Sequence, residues 1–181
     1  MGVSGSGYLL DANVFGYFWS AGHRRALEDA AAQIGLVTVA EVRRELGRSR
    51  GDGAGRLAWL DRTKIDVRAI ELGAPSATTL AELTVTRELA NRGKGERECI
   101  ALAAHDHSLC FVANDQNAMW LALRELHAPG ERLIGVPVFL RRLADVGVLR
   151  RATVEDVFVA WRGRSGVAPT WWSGWVKNVP R

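Results

Sequence analysis

The sequence predicts an α/β fold in which helices are layered on a mostly parallel sheet. Three observations predict it: short apolar runs alternate with amphipathic helical segments along the chain, no repeat of fixed period interrupts that alternation, and no linker divides it. The 181 residues, 48% hydrophobic and 24% charged, have the profile of one globular domain and exclude disordered, collagenous and low-complexity readings. Runs such as Gly135 to Leu140 fall far short of the roughly 20 residues that span a bilayer.

Taken in order, Gly7-Tyr8-Leu9-Leu10-Asp11 reads as a buried strand with a carboxylate at its carboxyl end. His23 to Ile34 reads as a helix closed by Gly35, and Leu36-Val37-Thr38 as a second strand that runs into a helix from Val39 to about Arg48. Gly47 to Gly55, rich in glycine and arginine, predicts a flexible loop; Ala54 to Asp61 a helix; and Ile65 to Ala69 a strand. Ser76 to Ala90 follows as a helix with Ser76 as its N-cap, and Asn91 to Gly95 breaks the pattern before a helix from Glu96 to about Ala104. Leu109 to Ala113 is a strand, Gln116 to Leu126 a helix and Leu133 to Val136 the last central strand; Val138 to Ala144 and Val154 to Arg162 are helical. Residues 7–151 make the main domain and 152–181 a C-terminal helical extension that is not an independent domain.

Charge narrows the partners. Arginine outnumbers lysine 21 to 3 and the net charge is +4. Eight basic residues oppose four acidic ones between Arg43 and Arg68, and nine oppose four from His127 to Arg181. Guanidinium groups bond phosphate in bidentate fashion, so nucleic acid is a natural partner, with Arg43, Arg48, Arg50, Arg141 and Arg142 as candidate phosphate contacts and Arg150/Arg151 as a further pair. Genome composition and an ordinary solvated basic face are the bland alternatives. Cys99 and Cys110 sit in apolar surroundings and make no disulfide framework, which points to a reducing cytoplasm. Met1, Gly2 and Ser6 fit the N-myristoylation pattern and equally a flexible leader.

The chemistry lies in the acids. Asp11 ends the first strand, Glu41 lies in the first turns after the second, Glu98 opens the helix after the glycine break, and Asp115 follows the strand Leu109 to Ala113. In an open parallel sheet, strand carboxyl ends and the helix starts that follow them share one edge, where ligands bind. Like charges gathered there raise one another's pKa unless a hard divalent cation such as Mg²⁺ or Mn²⁺ is held between them. Taken singly, Glu41, Glu98 and Asp115 have a simpler account as acids favoured by a helix dipole; four at equivalent places favour the metal site.

These stretches also carry a resemblance. Leu9-Leu10-Asp11-Ala12-Asn13-Val14-Phe15, Val37-Thr38-Val39-Ala40-Glu41-Val42, Gly95-Glu96-Arg97-Glu98-Cys99-Ile100-Ala101-Leu102-Ala103 and Phe111-Val112-Ala113-Asn114-Asp115 resemble the successive motifs of PIN-domain nucleases, over roughly residues 7 to 145. The resemblance implies a three-layer α/β/α PIN-like fold. It also implies the life-style of a VapC-like ribonuclease toxin held inactive by a cognate antitoxin protein. By that resemblance Asp11, Glu98 and Asp115 hold Mg²⁺ or Mn²⁺, Glu41 assists directly or through water, and hydrolysis of RNA leaves a 5′-phosphate and a 3′-hydroxyl. Asn13, Thr38 and Asn114 are expected to orient a carboxylate or a water, or else to serve as local caps and turns. Asn117 stands where relatives often carry another acid, which puts a second metal position in doubt.

Other chemistries fit worse. Asn13 replaces the second acid that a phosphoaspartate phosphatase needs, the four histidines form no HExxH pattern, and Gly93-Lys94-Gly95-Glu96 lacks the order of a phosphate-cradling loop; it reads as a helix-starting turn. The alternative from a different class is a catalytically inert PIN-like module that binds nucleic acid or protein. The Trp-rich tail, with Trp161, Trp171, Trp172 and Trp175, is expected first to pack on its own domain, then to serve a homodimer or antitoxin interface, and last to stack on bases.

Overall fold

The computed structural model describes residues 7–49, 51–85, 93–165 and 167–181. The expected phosphate contact at Arg50, the Met1-Gly2-Ser6 pattern, the last turn of the helix expected to reach Ala90, and Asn91-Arg92 of the expected break lie outside the described residues.

Five strands, β1 (Gly7–Leu10), β2 (Leu36–Val39), β3 (Asp66–Arg68), β4 (Leu109–Ala113) and β5 (Leu133–Gly135), form one sheet in the order β3-β2-β1-β4-β5, with every pairing parallel. Apolar runs without alternation are what a parallel sheet covered on both faces requires, and β2 and β4 are buried along their whole length. Leu10 and Val112 stand in register across β1 and β4, which puts Asp11 and Asn114-Asp115 at the ends of neighbouring strands.

Helices make the crossovers. α1 (Ala12–Ser20) and α2 (Arg24–Ile34) join β1 to β2, and α3 (Ala40–Gly47) and α4 (Gly53–Leu60) join β2 to β3. α5 (Pro75–Val85) and α6 (Lys94–His105) lead to β4, then α7 (Gln116–Glu125) and α8 (Pro129–Arg132) to β5. The chain moves outward from β1 to β3 and then returns to the other side of β1, so strand order reverses between β1 and β4. Helices that leave two neighbouring strands in opposite directions open a crevice at the strands' carboxyl ends.

Leu9, Leu10, Phe111 and Val112 are fully buried at the centre of the sheet, and Phe139 of α9 (Val136–Asp145) packs on Tyr8 with ring centroids 5.2 Å apart. Truncating Leu10 or Phe111 to Ala there would cost about 2–5 kcal/mol. α2 stops at Gly35, whose φ of 71° is open to glycine at no steric cost and turns the chain into β2.

Three local expectations are corrected. Ser76 is no N-cap; it lies inside α5, buried, because Pro75 takes the first helical position, where its fixed φ fits and its missing N–H is not needed. The helix after the glycine break starts at Lys94, so Lys94 and Gly95 belong to it, and Gly93, at φ 70°, sits at its N-cap position. The loop expected over Gly47 to Gly55 is cut back at both ends, since Gly47 closes α3 and Gly53 opens α4, and the two helix ends meet so closely that a Cβ added at Gly53 would lie 2.1 Å from the Gly47 carbonyl oxygen.

After β5, α9 and α10 (Arg151–Ser165) pack together, and α10 also covers α1. The tail folds back on them through α11 (Trp172–Trp175) and a 3-10 turn (Val176–Asn178). Trp172 is buried and stacks on Phe158 at 3.6 Å, Trp161 is buried beside the same ring, and the Trp175 indole N–H donates to Asp145 at 3.0 Å. Trp161 and Trp172 are thus packed on their own domain, while Trp171 and Trp175 keep part of their surface exposed. Among the described residues no helix is long and apolar enough to cross a membrane.

Candidate active site

Two aspartates share one local geometry. Asp11 caps α1, accepting at Oδ1 from the backbone N–H of Asn13 (2.8 Å) and of Val14 (3.1 Å). Asp115 caps α7 in the same way, from Asn117 (2.8 Å) and Ala118 (3.1 Å). Each satisfies two amide donors that a helix start leaves open, and each sits where a strand gives way to a helix.

Their surroundings differ. Asp115 is exposed, whereas Asp11 is 1% exposed and its second oxygen, Oδ2, is buried without a hydrogen-bond partner. Burial pushes the Asp11 carboxyl up to about 7, against the opposing pull of the Val14 and Asn13 amides and with a further push from the charge of Glu96. Burial and the same cluster of acids, Asp11 first among them, push the neighbouring Cys99 thiol well up.

The two glutamates of the expected quartet have work of their own. Glu98 Oε2 accepts the backbone N–H of Glu41 at 2.9 Å and so caps α3 from α6. In return Glu45 Oε1 of α3 accepts the N–H of Gly95 at 3.0 Å in the first turn of α6. The two helices thus exchange caps. Glu41 is buried, with its carboxylate bonded to Arg44 and Arg48 Nη1 3.5 Å away. Glu98 is pushed up by partial burial and held back by Arg44.

The acid that sequence reasoning passed over is Glu96. Its carboxyl is pushed up by burial, then by the charges of Glu45 and Asp115, and Glu96 in turn raises Asp11. Glu96 is therefore the acid that links the crevice group, raised by the charge of Asp115 and raising Asp11 in turn, with Glu45 behind. Two residues apart on a helix, Glu96 and Glu98 point about 200° apart, and only one of them can face that group. The signal in the sequence was the second acid of Gly95-Glu96-Arg97-Glu98. As the side chains stand, no three His, Cys, Asp or Glu among the described residues are close enough together to hold a metal ion.

The remaining candidates divide. Thr38 is buried and donates to the Leu10 carbonyl at 2.9 Å, fixing the β1 end that carries Asp11. Asn114 accepts the Trp161 indole N–H, and exposed Asn13 adds a side-chain contact that favours the ionised form of Asp11. Arg48 reaches the crevice beside Glu41, while Arg43 is held in a two-pronged pair with Asp61, both bonds at 2.9 Å. Arg141 and Arg142 stand at the opposite edge of the sheet, because the ten residues of α9 carry the chain back down: Arg142 Nη1 lies 3.5 Å from Cys110 Sγ near the start of β4, and Arg141 pairs with Asp145 and covers the Trp171 ring. Compared with protein-family models, curated proteins and solved structures, the chain matches none of them.

Proposed function

We propose that this chain is a Mg²⁺- or Mn²⁺-dependent endoribonuclease of the PIN type, acting at the crevice between β1 and β4 and serving as the toxin of a toxin-antitoxin pair. One observation carries the catalytic part: a carboxylate, Asp11, buried at a strand end with an unpartnered oxygen and raised by the charge of Glu96, which is itself raised by Asp115 at the end of the neighbouring strand. A buried anion with a free oxygen is costly unless protonated or bound to a cation, and an all-oxygen donor set suits a hard divalent ion. The donor chemistry of these residues suits the metal, although their side chains as they stand are too far apart to hold it; Asp11, Asp115 and Glu96 would hold it on converging, with Glu98 and Glu41 at the border of the site. Such an ion lowers the pKa of water and neutralises charge on a phosphate.

The chain's own groups do the rest. The amides of Asn13 and Val14 fix Asp11, those of Asn117 and Ala118 fix Asp115, and Thr38 holds the Leu10 carbonyl, so the carboxylates are positioned before substrate arrives. Arg44 and Arg48, now on Glu41, are placed to exchange that carboxylate for a substrate phosphate. The toxin assignment and its antitoxin partner rest on the four-motif resemblance.

A second reading, an inert nucleic-acid- or protein-binding module, is favoured by the engagement of Glu41 with arginines and of Glu98 with the α3 cap. The deciding experiment incubates the protein with labelled total RNA and Mg²⁺ or Mn²⁺ and maps the product ends. Cleavage leaving 5′-phosphates, lost in Asp11→Asn, is the expected result. No cleavage, or equal cleavage by Asp11→Asn, refutes the catalytic reading.

A further inference from the structure

Three basic segments far apart in the chain meet at the sheet edge remote from the acids. α1 leaves Asp11 and ends at Ser20, about 13 Å away along its axis. Arg24 and Arg25 then open α2; Arg62 and Lys64 lie just before β3, at the amino ends of the strands; and Arg150 comes from the turn between α9 and α10. Two adjoining cavities of about 640 and 420 Å³ share Arg24 and Arg25 as walls, the first completed by Arg150 and Thr153 and the second by Arg62 and Lys64.

These cations are unneutralised. Among the described residues none of Arg24, Arg25, Arg62 and Lys64 has a carboxylate partner, and all four are exposed. Two carboxylates, Glu28 and Asp29, share the cavity walls and offset part of this charge; Glu28 accepts the Trp59 indole N–H, and among the described residues neither forms an ion pair, so five cations face two anions around the groove. Arg24 and Arg56 both lie over the Trp19 ring, 5.4 and 5.3 Å from its centroid, and Arg56 Nε is buried without a partner. A chain that brings guanidinium groups together on an indole without pairing them with a carboxylate bears a repulsion that an external anion relieves.

We infer that this groove at the amino edge of the sheet is a second RNA site, binding the phosphodiester backbone of a single strand at a distance from the scissile bond. The juxtaposition that carries it is Arg24 and Arg25 set between Arg62/Lys64 and Arg150, the first four without a carboxylate partner among the described residues and Arg150 held only by a 3.5 Å bond to the Arg181 main-chain oxygen. Arginine forks match phosphate oxygens, and a groove that tracks a charged backbone needs no base-specific contact. The walls present few exposed apolar anchors of the kind that centre a protein interface. The inference rests on the reading of the chain as a protein that acts on RNA, and it gives that reading a site that holds substrate outside the crevice.

The test measures binding of a labelled single-stranded oligoribonucleotide to the full chain in EDTA, so that cleavage plays no part. Arg24→Ala/Arg25→Ala/Lys64→Ala should weaken binding at least tenfold and reduce the slope of log affinity against log salt by about 2, as expected when three phosphate contacts leave a single strand. A control variant away from the groove, Arg162→Ala/Lys177→Ala, should keep most of the affinity. Unchanged binding by the first variant, or an equal loss in the control, overturns the inference, the latter by reducing it to overall charge. Binding of labelled polyglutamate by a protein that does not bind RNA overturns it in favour of an acidic protein segment. If the parent then binds RNA but does not cut it when Mn²⁺ is added, the nuclease reading fails and the groove stands. If the first variant binds and cuts like the parent, the groove fails and the nuclease stands.

Discussion

Asp11 and Asp115 end neighbouring strands, start helices and accept the same pair of amide protons, at 2.8 and 3.1 Å in each case. One is sealed under α1 with its second oxygen stranded; the other is exposed. Local backbone therefore makes both into good caps, and burial, with a smaller push from Glu96, turns one of them into an electrostatic problem. A cap acts through one oxygen, so what becomes of the other separates a structural aspartate from one that needs a cation.

The largest effect expected from this contrast is on stability without divalent ions. Asp11 titrates near 7 in the folded chain against an ordinary 3.8. A displacement of that size corresponds to roughly 4 kcal/mol between the protonated and ionised forms. The folded state binds the proton more tightly, so the protein keeps the full benefit below pH 3.8 and loses it as pH rises through about 7. Asp11→Asn keeps the cap and removes the charge. Its melting temperature in EDTA should exceed the parent's by several degrees at pH 8, and the difference should shrink steadily towards pH 4. Asp115→Asn, at an exposed cap where Asn serves as well as Asp, should melt within about a degree of the parent at either pH. Parallel pH profiles for the two variants would show that burial is not the source. Saturating Mn²⁺ should raise the parent's melting temperature and leave that of Asp11→Asn unmoved.

The next effect concerns the third carboxylate, where the sequence was legible to within one helical turn and no closer. The strand runs, the Gly35 stop and the strand-to-helix acids at Asp11 and Asp115 could all be read, because each depends on a local pattern of buried strand, turn and cap. The choice between Glu96 and Glu98 depends on how α6 is rotated against α3, which follows from the caps exchanged through Glu45 and Glu98 and from the burial of Arg97, all of them long-range. The same limit applied to Arg141 and Arg142, whose place at the far edge follows from the length and direction of α9. Glu96→Gln should weaken Mn²⁺ binding about tenfold or more by calorimetry and lower the pH at which the parent's stability falls. Glu98→Gln should leave Mn²⁺ affinity close to the parent's and cost about 1 kcal/mol through the weakened α3 cap. The reverse order would restore Glu98 to the ligand set and make Glu96 an ordinary helix-start acid.

The smallest effect tests whether the two aspartates are supported separately. Asn114 lies between β4 and Asp115 and accepts the indole N–H of Trp161, a residue of α10 whose ring also packs on Phe158. Among the described residues nothing comparable ties the tail to Asp11, which is held by the Asn13 and Val14 amides and adjoins the Leu10 carbonyl that Thr38 fixes. Trp161→Phe keeps an aromatic ring against Phe158 and deletes the donor, leaving the Asn114 oxygen without that bond. The cost should be about 1–2 kcal/mol, read as a melting temperature lower by a few degrees. Because the bond supports only the Asp115 side, the difference in stability between pH 8 and pH 4, which reports on Asp11, should stay at the parent's value. A Trp161→Phe protein in which that difference also shrinks would mean that α10, lying across α1, helps to seal Asp11 from water, and the two aspartates would then share one support.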